Sequence, residues 1–385
     1  MLSVTSEYHR VFIFTNPDGL NKTNFSIDAA NALLKTFEEP PENTTFFFLT
    51  KDITDMLETV VSRSQCFFIP SEKEEPHNYE LVENIMQIQD KDRYNVYIIE
   101  ITGLKWEAIL GDGNRAIIDK NDFTFMMADK KIKIDYCYIT IHGTPGENGL
   151  LQGYLDLMRI PYSTSGVLVE ALTFNKFTLN QYLKSWGISV SESIMLRKGQ
   201  TISNEEVIQR VGLPCFIKPN AGGSSFGVTK VKTAEQIQPA IELAMKEEGA
   251  EVMIEAEMKG TEISCGHYKT KKHEVALPIT EVVPANEFFD YNAKYNGEVQ
   301  EITPARIPDE ITDRVHQINS AIYQILGANG IIRVDYIISD EGKIQMLEIN
   351  TTPGMTATSF IPQQVKAAGL DMKDVLTEII ENQFD

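Results

Sequence analysis

The spacing of hydrophobic and polar positions changes from segment to segment along the chain, and this pattern predicts a mixture of strands and helices. The apolar runs TTFFFLT (44–50) and QCFFI (65–69) are typical of buried strands, and Ile27 to Phe37 has helical periodicity that ends before Pro40. Further strands are predicted near 95–102, 136–143, 214–218, 227–231, 252–255, 263–268 and 276–282, helices near 176–185 and 309–326, and last a strand pair and a terminal helix. This order indicates an α/β or α+β chain of several small domains.

One segment interrupts the pattern. Residues 71–79, SEKEEPHNY, are charged, contain Pro76 and lack apolar periodicity. We therefore expect a domain boundary there.

Composition narrows the class of partner. The chain has 35 Lys and Arg against 55 Asp and Glu, a net charge of -20, which repels nucleic-acid phosphates. No apolar run approaches the roughly 18 residues of a membrane helix, and the first residues lack the build of a secretory signal. We expect a cytoplasmic protein with no nucleic-acid or membrane partner. Its four cysteines are far apart in sequence and are expected to be reduced: Cys66, Cys137, Cys215 and Cys265.

The sharpest chemical signal is a predicted hairpin formed by IIRVDYII (331–338) and KIQMLEIN (343–350). Because side chains alternate between faces with period two, Arg333 and Asp335 share a face of one strand, and Glu348 and Asn350 share a face of the other. Oxygen ligands of this kind suit Mg²⁺, and arginine suits a phosphoryl or carboxylate oxygen. The alternative is a solvated sheet face with one ion pair, but the neighbouring positions are almost all apolar.

A second signal is the loop in CFIKPNAGGSSFGV (215–228). A strand delivers Lys218, and glycines then surround Ser224 and Ser225, so that backbone amides can approach phosphate oxygens. The lysine precedes the glycines, which excludes the P-loop pattern. The alternative is a flexible hairpin tip.

Three weaker features accompany these two. Glu255 and Glu262 flank a turn and could accept hydrogen bonds from an adenine amino group and a ribose hydroxyl, although spaced glutamates are usually solvated. His142 is predicted at a strand end before a glycine-rich turn, facing a substrate or only capping that turn. Gly354 can place a backbone N–H close to a ligand.

Taken together, these segments resemble the ATP-grasp superfamily and, within it, the D-alanine–D-alanine ligase family. The resemblance covers about residues 79–385 and is carried by five segments: HGTPGENG, FIKPNAGGSSFGV, FFDYNAKYNG, RVDY and LEINTTPGMTATSFIP. It implies an ATP-grasp fold in three ligase domains, which we place at 73–173, 174–265 and 266–385 after a separate fragment, 1–72.

The resemblance also implies roles for individual residues. Lysines matching Lys176 and Lys218 contact nucleotide phosphates, glutamates matching Glu255 and Glu262 hold adenine and ribose, and Ser225 and Lys294 are assigned to the same nucleotide site. Asp335, Glu348 and Asn350 are expected to bind the metal ions, and Ser224 and Tyr295 to belong to the triad at the first substrate. Arg333 and the Gly354 amide are expected to form the oxyanion hole. His142, Ser359 and Phe360 are expected to contact the amino acids.

The implied reaction is ATP-dependent joining of two D-alanines through an acyl phosphate, for peptidoglycan precursor synthesis. The resemblance also implies two Mg²⁺ ions, for which Mn²⁺ can substitute, and a lid around 286–297. It further implies the homodimer common in the family. Tyr295 favours a dipeptide over a D-lactate ester.

The first seventy residues resemble a different family, the AAA+ clamp-loader subunits of DNA polymerase III, through DAANALLKTFEEPPENTTFFFLT and SRSQCFFIP. The phosphate-binding loop of that family is absent, and the charge argues against clamp loading. The ligase family's opening βα unit, which carries a glutamate of the triad, is also missing. We hypothesise that QCFFI replaces the lost strand and Glu74 the glutamate; the alternative is a charged linker. The alternative function is an ATP- and Mg²⁺-binding protein with impaired or lost ligase activity.

Overall fold

A computed structural model of the chain describes residues 10–14, 44–48, 94–110, 113–221, 227–246, 251–284 and 299–384. The chain divides into two compact units, Met1–His77 and Asn78–Asp385. In the first unit, strands β1 (Arg10–Phe14) and β2 (Thr44–Phe48) pair in parallel. The strand predicted at 44–50 is thus confirmed over 44–48, whereas the helix at 27–37 and the strand at 65–69 lie outside the described residues.

The second unit begins with antiparallel strands. A three-stranded sheet has the order β3-β4-β5, and β6 and β7 form a hairpin. The turn before β5 is closed by a bond from the Gly113 amide to the Leu110 carbonyl at 2.8 Å, and Gly113 has a φ of 82° that favours glycine. The bounds are β3 Ile98–Thr102, β4 Lys105–Ile109, β5 Arg115–Ile117, β6 Thr124–Met127 and β7 Lys130–Lys133.

The strand predicted at 136–143 is wrong. Only Cys137 forms a bridge, in parallel with Tyr162. Two residues later, the Ile139 amide donates to the Ser163 hydroxyl at 2.9 Å, so that a side chain takes the place of a backbone acceptor and the ladder stops. Three helices follow: α1 Leu150–Met158, α2 Val167–Phe174 and α3 Lys176–Ser185, the last as predicted.

A four-stranded antiparallel sheet comes next, with the order β10-β9-β11-β8. Its apolar face packs against helices α4 and α5 around the fully buried Val207, Ile217 and Ile237. All four strands, of which three were predicted, are short: β8 Ser193–Arg197, β9 Cys215–Pro219, β10 Thr229–Val231 and β11 Glu251–Ala256; α4 spans Asn204–Val211 and α5 Ile237–Ala244.

The larger sheet has the order β15-β14-β12-β16-β17, with β13 also paired to β12. Helix α6 covers one face over the buried Val315 and Ile322. The prediction of a single strand at 276–282 is wrong. Pro278 has no amide to donate, and the strand is therefore interrupted between β13 and β14. The bounds are β12 Thr261–Lys269, β13 Glu274–Ala276, β14 Thr280–Pro284, β15 Val299–Ile302, α6 Asp309–Leu326, β16 Ile331–Ile338 and β17 Ile344–Asn350.

The predicted boundary between the second and third ligase domains, 265/266, falls within β12. The chain passes from the smaller to the larger sheet between Ala256 and Thr261, and the three domain ranges stay predictions. The predicted terminal helix is two helices, α7 (Phe360–Ala367) and α8 (Met372–Glu381), separated at Gly369 with a φ of 70°. None of the helices in the described part of the chain is long and apolar enough to cross a membrane.

Helix α7 is anchored on the larger sheet through one glutamine. Gln364 is fully buried, accepts from the Gly266 amide at 2.9 Å and donates to the Ser264 carbonyl at 3.0 Å. A β-carbon on Gly266 would come within 2.6 Å of Ile361 and 2.7 Å of Gln364. Helix and strand therefore approach each other as closely as glycine permits.

Candidate active site

The β16–β17 hairpin brings together the four polar side chains that the sequence placed there. Arg333 lies opposite Asn350 and Asp335 opposite Glu348 in the antiparallel register. Arg333 donates from Nε and Nη2 to the Asp335 carboxylate at 3.0 and 2.8 Å, and its Nη2 is 3.8 Å from Glu348 Oε1. Asn350 Nδ2 donates to Asp335 Oδ2 at 3.3 Å. The structure thus confirms that these four side chains converge on one face of the hairpin.

Asp335 is the centre of this cluster and is nearly buried. A further partner, the Ser264 hydroxyl on β12, donates to Asp335 Oδ1 at 2.6 Å. Burial lowers the pKa of the Arg333 guanidinium, but the charges of Asp335 and Glu348 outweigh that effect and raise it. Ser264 was not predicted as a site residue, because its contact with Asp335 depends on the β12–β16 register.

Lys218 and Glu255 form a second buried pair, in the smaller sheet. They lie on neighbouring strands, β9 and β11, and Lys218 Nζ is 2.6 Å from Glu255 Oε2, with side chains 13% and 3% exposed. Asn180 of α3 reaches the other carboxylate oxygen at 3.4 Å. Two residues predicted to contact different parts of a nucleotide thus contact each other.

Lys176 begins helix α3 immediately after the N-cap Asn175. Its backbone amide donates to the Asn220 carbonyl at 3.2 Å, which joins the start of α3 to the segment after β9. Burial lowers the pKa of Lys176, while the nearby carboxylates of Glu348, Glu147 and Glu255 oppose this effect. A cation on α3 therefore lies within the fields of both charge clusters.

The segment after β17 supplies the side of the site next to Arg333. The Arg333 guanidinium carbon lies 5.2 Å from the centre of the Phe360 ring, a cation–π distance. Ser359 is the N-cap of α7, and its hydroxyl pairs with Thr356 Oγ1 at 2.7 Å. A β-carbon on Gly354 would lie 2.8 Å from that Ser359 hydroxyl, so Gly354 and Ser359 approach closely.

Two predicted residues lie at the edges. Glu262, half-buried on β12, is close enough to raise the pKa of Arg333. His142 is half-exposed, with Nδ1 3.6 Å from Glu147 Oε1, and the Gly143 amide donates to Glu147 Oε2 at 2.6 Å. Glu147 therefore fixes the turn that carries His142; it stands in the quoted HGTPGENG segment, but its role there was not predicted.

Five predicted site residues lie outside the described residues. They are Glu74, Ser224, Ser225, Lys294 and Tyr295. Their assigned roles stay predictions.

The smaller sheet holds a buried lysine paired to an acid and the larger sheet a buried arginine paired to an acid, as expected of an ATP-grasp enzyme. The family model described as D-ala D-ala ligase C-terminus matches residues 182–381. A D-alanine–D-alanine ligase of Phocaeicola vulgatus is 68% identical over 295 residues, which is 77% of this chain and 91% of that protein. The chain belongs to the D-alanine–D-alanine ligase family.

Solved structures agree with this assignment. VanG D-Ala:D-Ser ligase from Enterococcus faecalis superposes with a TM-score of 0.68 at 29% identity, covering 78% of this chain and 93% of that one. The D-alanine–D-alanine ligase of Bacillus anthracis complexed with ATP gives 0.55 at 30% identity, covering 65% and 78%. The ATP-grasp fold expected from the sequence is confirmed.

The beginning of the chain matches another family. Residues 3–73 match the family model described as DNA polymerase III, delta subunit. The predicted resemblance of the first seventy residues to a clamp-loader fragment is thereby confirmed.

Proposed function

We propose that the chain joins two D-alanines into D-alanyl-D-alanine, with ATP converted to ADP and phosphate, for peptidoglycan precursor synthesis. The observation that carries the proposal is the convergence of Arg333, Asp335, Glu348 and Asn350 on one face of the β16–β17 hairpin. That cluster lies within the part of the chain that matches the ligase family.

The donor set of this cluster fits Mg²⁺. It consists only of oxygen ligands, two carboxylates and an amide, from Asp335, Glu348 and Asn350. Among the described residues no group of three His, Cys, Asp or Glu side chains could hold a metal by itself, and Mg²⁺ needs only one or two carboxylates with substrate phosphates. Two bound Mg²⁺ ions, or Mn²⁺ in their place, would neutralise phosphate charge.

The protein's own residues would act on substrate charge. Lys176 and Lys218 would hold the phosphates of ATP, with Glu255 and Glu262 at adenine and ribose. One D-alanine carboxylate attacks the γ-phosphorus and releases ADP, which gives an acyl phosphate. The amine of the second D-alanine then attacks the acyl carbon and phosphate leaves, while Arg333 and the Gly354 amide stabilise the oxyanion.

The remaining residues would orient the two amino acids. We assign His142, Ser224 and Tyr295 to the first D-alanine and Ser359 with Phe360 to the second, with Ser225 and Lys294 at the nucleotide. Cations around the transferring phosphoryl group make the largest electrostatic contribution in reactions of this type.

The second candidate is a protein that binds ATP but has impaired or lost ligation. It is favoured by the match of residues 3–73 to a different family model. In this alternative Glu74 does not replace the family's glutamate. We also propose three ligase domains, a cytoplasmic location and a homodimer; free Cys137, Cys215 and Cys265 are in keeping with a reducing compartment.

The test is a coupled assay of ADP release by the full chain, with and without D-alanine, together with detection of the dipeptide. We expect ADP release that depends on D-alanine and equimolar dipeptide. ATP binding without D-alanine-dependent turnover would favour the second candidate. D-Serine and D-lactate as second substrates test whether the product is a dipeptide of D-alanine.

A further inference from the structure

A buried glutamate that was not among the predicted site residues lies next to the C-terminal end of β17. Glu170, in the first turn of α2, is fully buried, and its Oε2 accepts from the Thr351 hydroxyl at 2.5 Å. Within the described part of the chain, its other oxygen, Oε1, accepts no hydrogen bond of good geometry, and the carboxyl has no ion-pair partner. A buried acid without a counter-charge among the described residues is costly, so its presence requires a reason.

The partner of Glu170, Thr351, lies next to a predicted metal ligand. Thr351 follows Asn350 directly, is itself 3% exposed, and thus fixes the end of the strand that carries Glu348 and Asn350. Helix α2 also packs against β17. The Glu170–Thr351 bond therefore joins this helix to the strand with the predicted metal ligands.

The start of α2 is tied to the turn that carries His142. Gln152 is fully buried and donates to the Gly146 carbonyl at 2.7 Å and to the Thr164 hydroxyl at 3.0 Å. Thr164 stands two residues before the α2 N-cap, Gly166. Hydrogen bonds thus connect the turn that carries His142 to the start of α2, and Glu170 connects α2 to the end of β17.

Electrostatics makes the burial tolerable. Burial raises the pKa of Glu170 to about 8 against the hydrogen bond from Thr351; the Glu147 carboxylate raises it further, and the Ser165 backbone and the Thr164 hydroxyl lower it. The group is therefore mostly neutral at pH 7, and a neutral carboxyl costs far less to bury than a carboxylate.

We propose that Glu170 is a positioning residue: by holding the Thr351 hydroxyl it fixes the end of β17, and with it the Glu348 carboxylate and the Asn350 amide. This inference rests on the proposed function, because it assumes that those groups bind divalent metal with the nucleotide.

The test measures metal affinity directly on the full chain. Mn²⁺ binding in the presence of ADP is followed through the electron paramagnetic resonance signal of free Mn²⁺, which requires no turnover. The variants are Glu170→Ala, Glu170→Gln, Thr351→Val and the double variant Glu170→Ala/Thr351→Val. Thr173→Val is the matched control, since Thr173 is a buried threonine of the same helix whose hydroxyl donates, within the described residues, to the Val169 and Glu170 carbonyls alone.

We expect about tenfold weaker Mn²⁺ binding in Glu170→Ala and in Thr351→Val, the lower end of the range for residues that orient metal ligands. The double variant should be no weaker than either single variant, because both remove one bond. Glu170→Gln, which keeps an acceptor for Thr351, should stay within about threefold, a small part of that tenfold range, and Thr173→Val should match wild type.

Wild-type Mn²⁺ affinity in Thr351→Val, or additive losses in the double variant, would overturn the inference even if Glu170→Ala does not fold. Failure of the proposed function is separately visible: the wild-type chain would then bind Mn²⁺ and ADP but form no dipeptide. Loss of Mn²⁺ affinity equal in Thr173→Val and Thr351→Val would show a merely structural effect and would also overturn it.

Discussion

The two sheets of the site each hold a cation against an acid, but they do so differently. In the smaller sheet, Lys218 and Glu255 pair across neighbouring strands, and in the described part of the chain Asn180 adds one contact at 3.4 Å. In the larger sheet, Asp335 accepts from Arg333, Ser264 and Asn350. Among the described residues, the buried Glu255 therefore has one charged partner and one amide donor, whereas the buried Asp335 has three donors.

This difference has a chemical counterpart. An ammonium has three donors, and the Lys218–Glu255 contact uses one of them, so Lys218 can also hold a phosphate. The guanidinium of Arg333 is fixed in place by its bidentate bond to Asp335. A movable cation suits substrate binding, and a fixed cation suits stabilisation of a developing charge.

The largest effect is expected from Arg333→Leu. Removing the guanidinium leaves Asp335 buried with only neutral donors, which should cost about 3–5 kcal/mol of unfolding free energy. Turnover should fall about 10²–10³-fold, as for loss of one oxyanion donor. Denaturant unfolding and the coupled ADP assay measure the two quantities. The control is Arg197→Leu, whose exposed pair with Glu251 should contribute at most about 1 kcal/mol; turnover within tenfold of wild type in Arg333→Leu would remove Arg333 from the reaction.

Lys218→Met should have the next largest effect. It leaves Glu255 buried without its counter-charge, with a loss of about 3–5 kcal/mol. Adding Glu255→Gln should restore most of the stability but not the KM for ATP, because the phosphate contact stays absent. Lys230→Met is the matched control: Lys230 pairs with Glu257 at 2.6 Å beside the same sheet, and its loss should change stability more than the KM for ATP. Equal rises in KM in both variants would contradict a specific role for Lys218.

Glu170→Gln should alter how stability depends on pH. The folded-state pKa of Glu170 is about 8, raised from 4.5, so between these values the folded chain binds a proton that the unfolded chain releases. Wild-type stability should therefore fall relative to Glu170→Gln as pH rises, by about 1.4 kcal/mol per pH unit at most between pH 5.5 and 7.5. Urea unfolding at several pH values measures this. Parallel curves for wild type and Glu170→Gln would show that Glu170 is already ionised.

Phe360→Leu should have the smallest effect. It removes the ring over Arg333, worth about 0.5–2 kcal/mol, and leaves the Arg333–Asp335 pair in place. The KM for the second D-alanine should rise a few-fold, and the free energy of unfolding should fall by no more than that amount. Phe384→Leu, at an exposed phenylalanine, serves as the control; an unchanged KM in Phe360→Leu would place the second amino acid elsewhere.

The predictable features were those with local periodicity. Strand alternation placed Arg333, Asp335, Glu348 and Asn350 on one face, because the two strands are joined by a short turn and pair along their length. Helices 176–185 and 309–326 were predicted at their observed bounds.

The features that were missed depend on distant partners. Residues 136–143 have the apolar content of a strand, but Ser163 supplies the acceptor that ends the ladder. Glu170 lies 181 residues from Thr351, so no local pattern could reveal its role. Ser264 meets Asp335 only through the register of β12 with β16.

The close approach of Gly266 to Gln364 has an evolutionary consequence. Gln364 holds the helix that begins next to Ser359, and Gly266 stands two residues from Ser264, the neighbour of Asp335. A larger residue at 266 requires the ends of the Leu277, Ile361 and Gln364 side chains to move away or to be shortened. Drift at these positions is therefore coupled, and homologues that change one are expected to have changed the others.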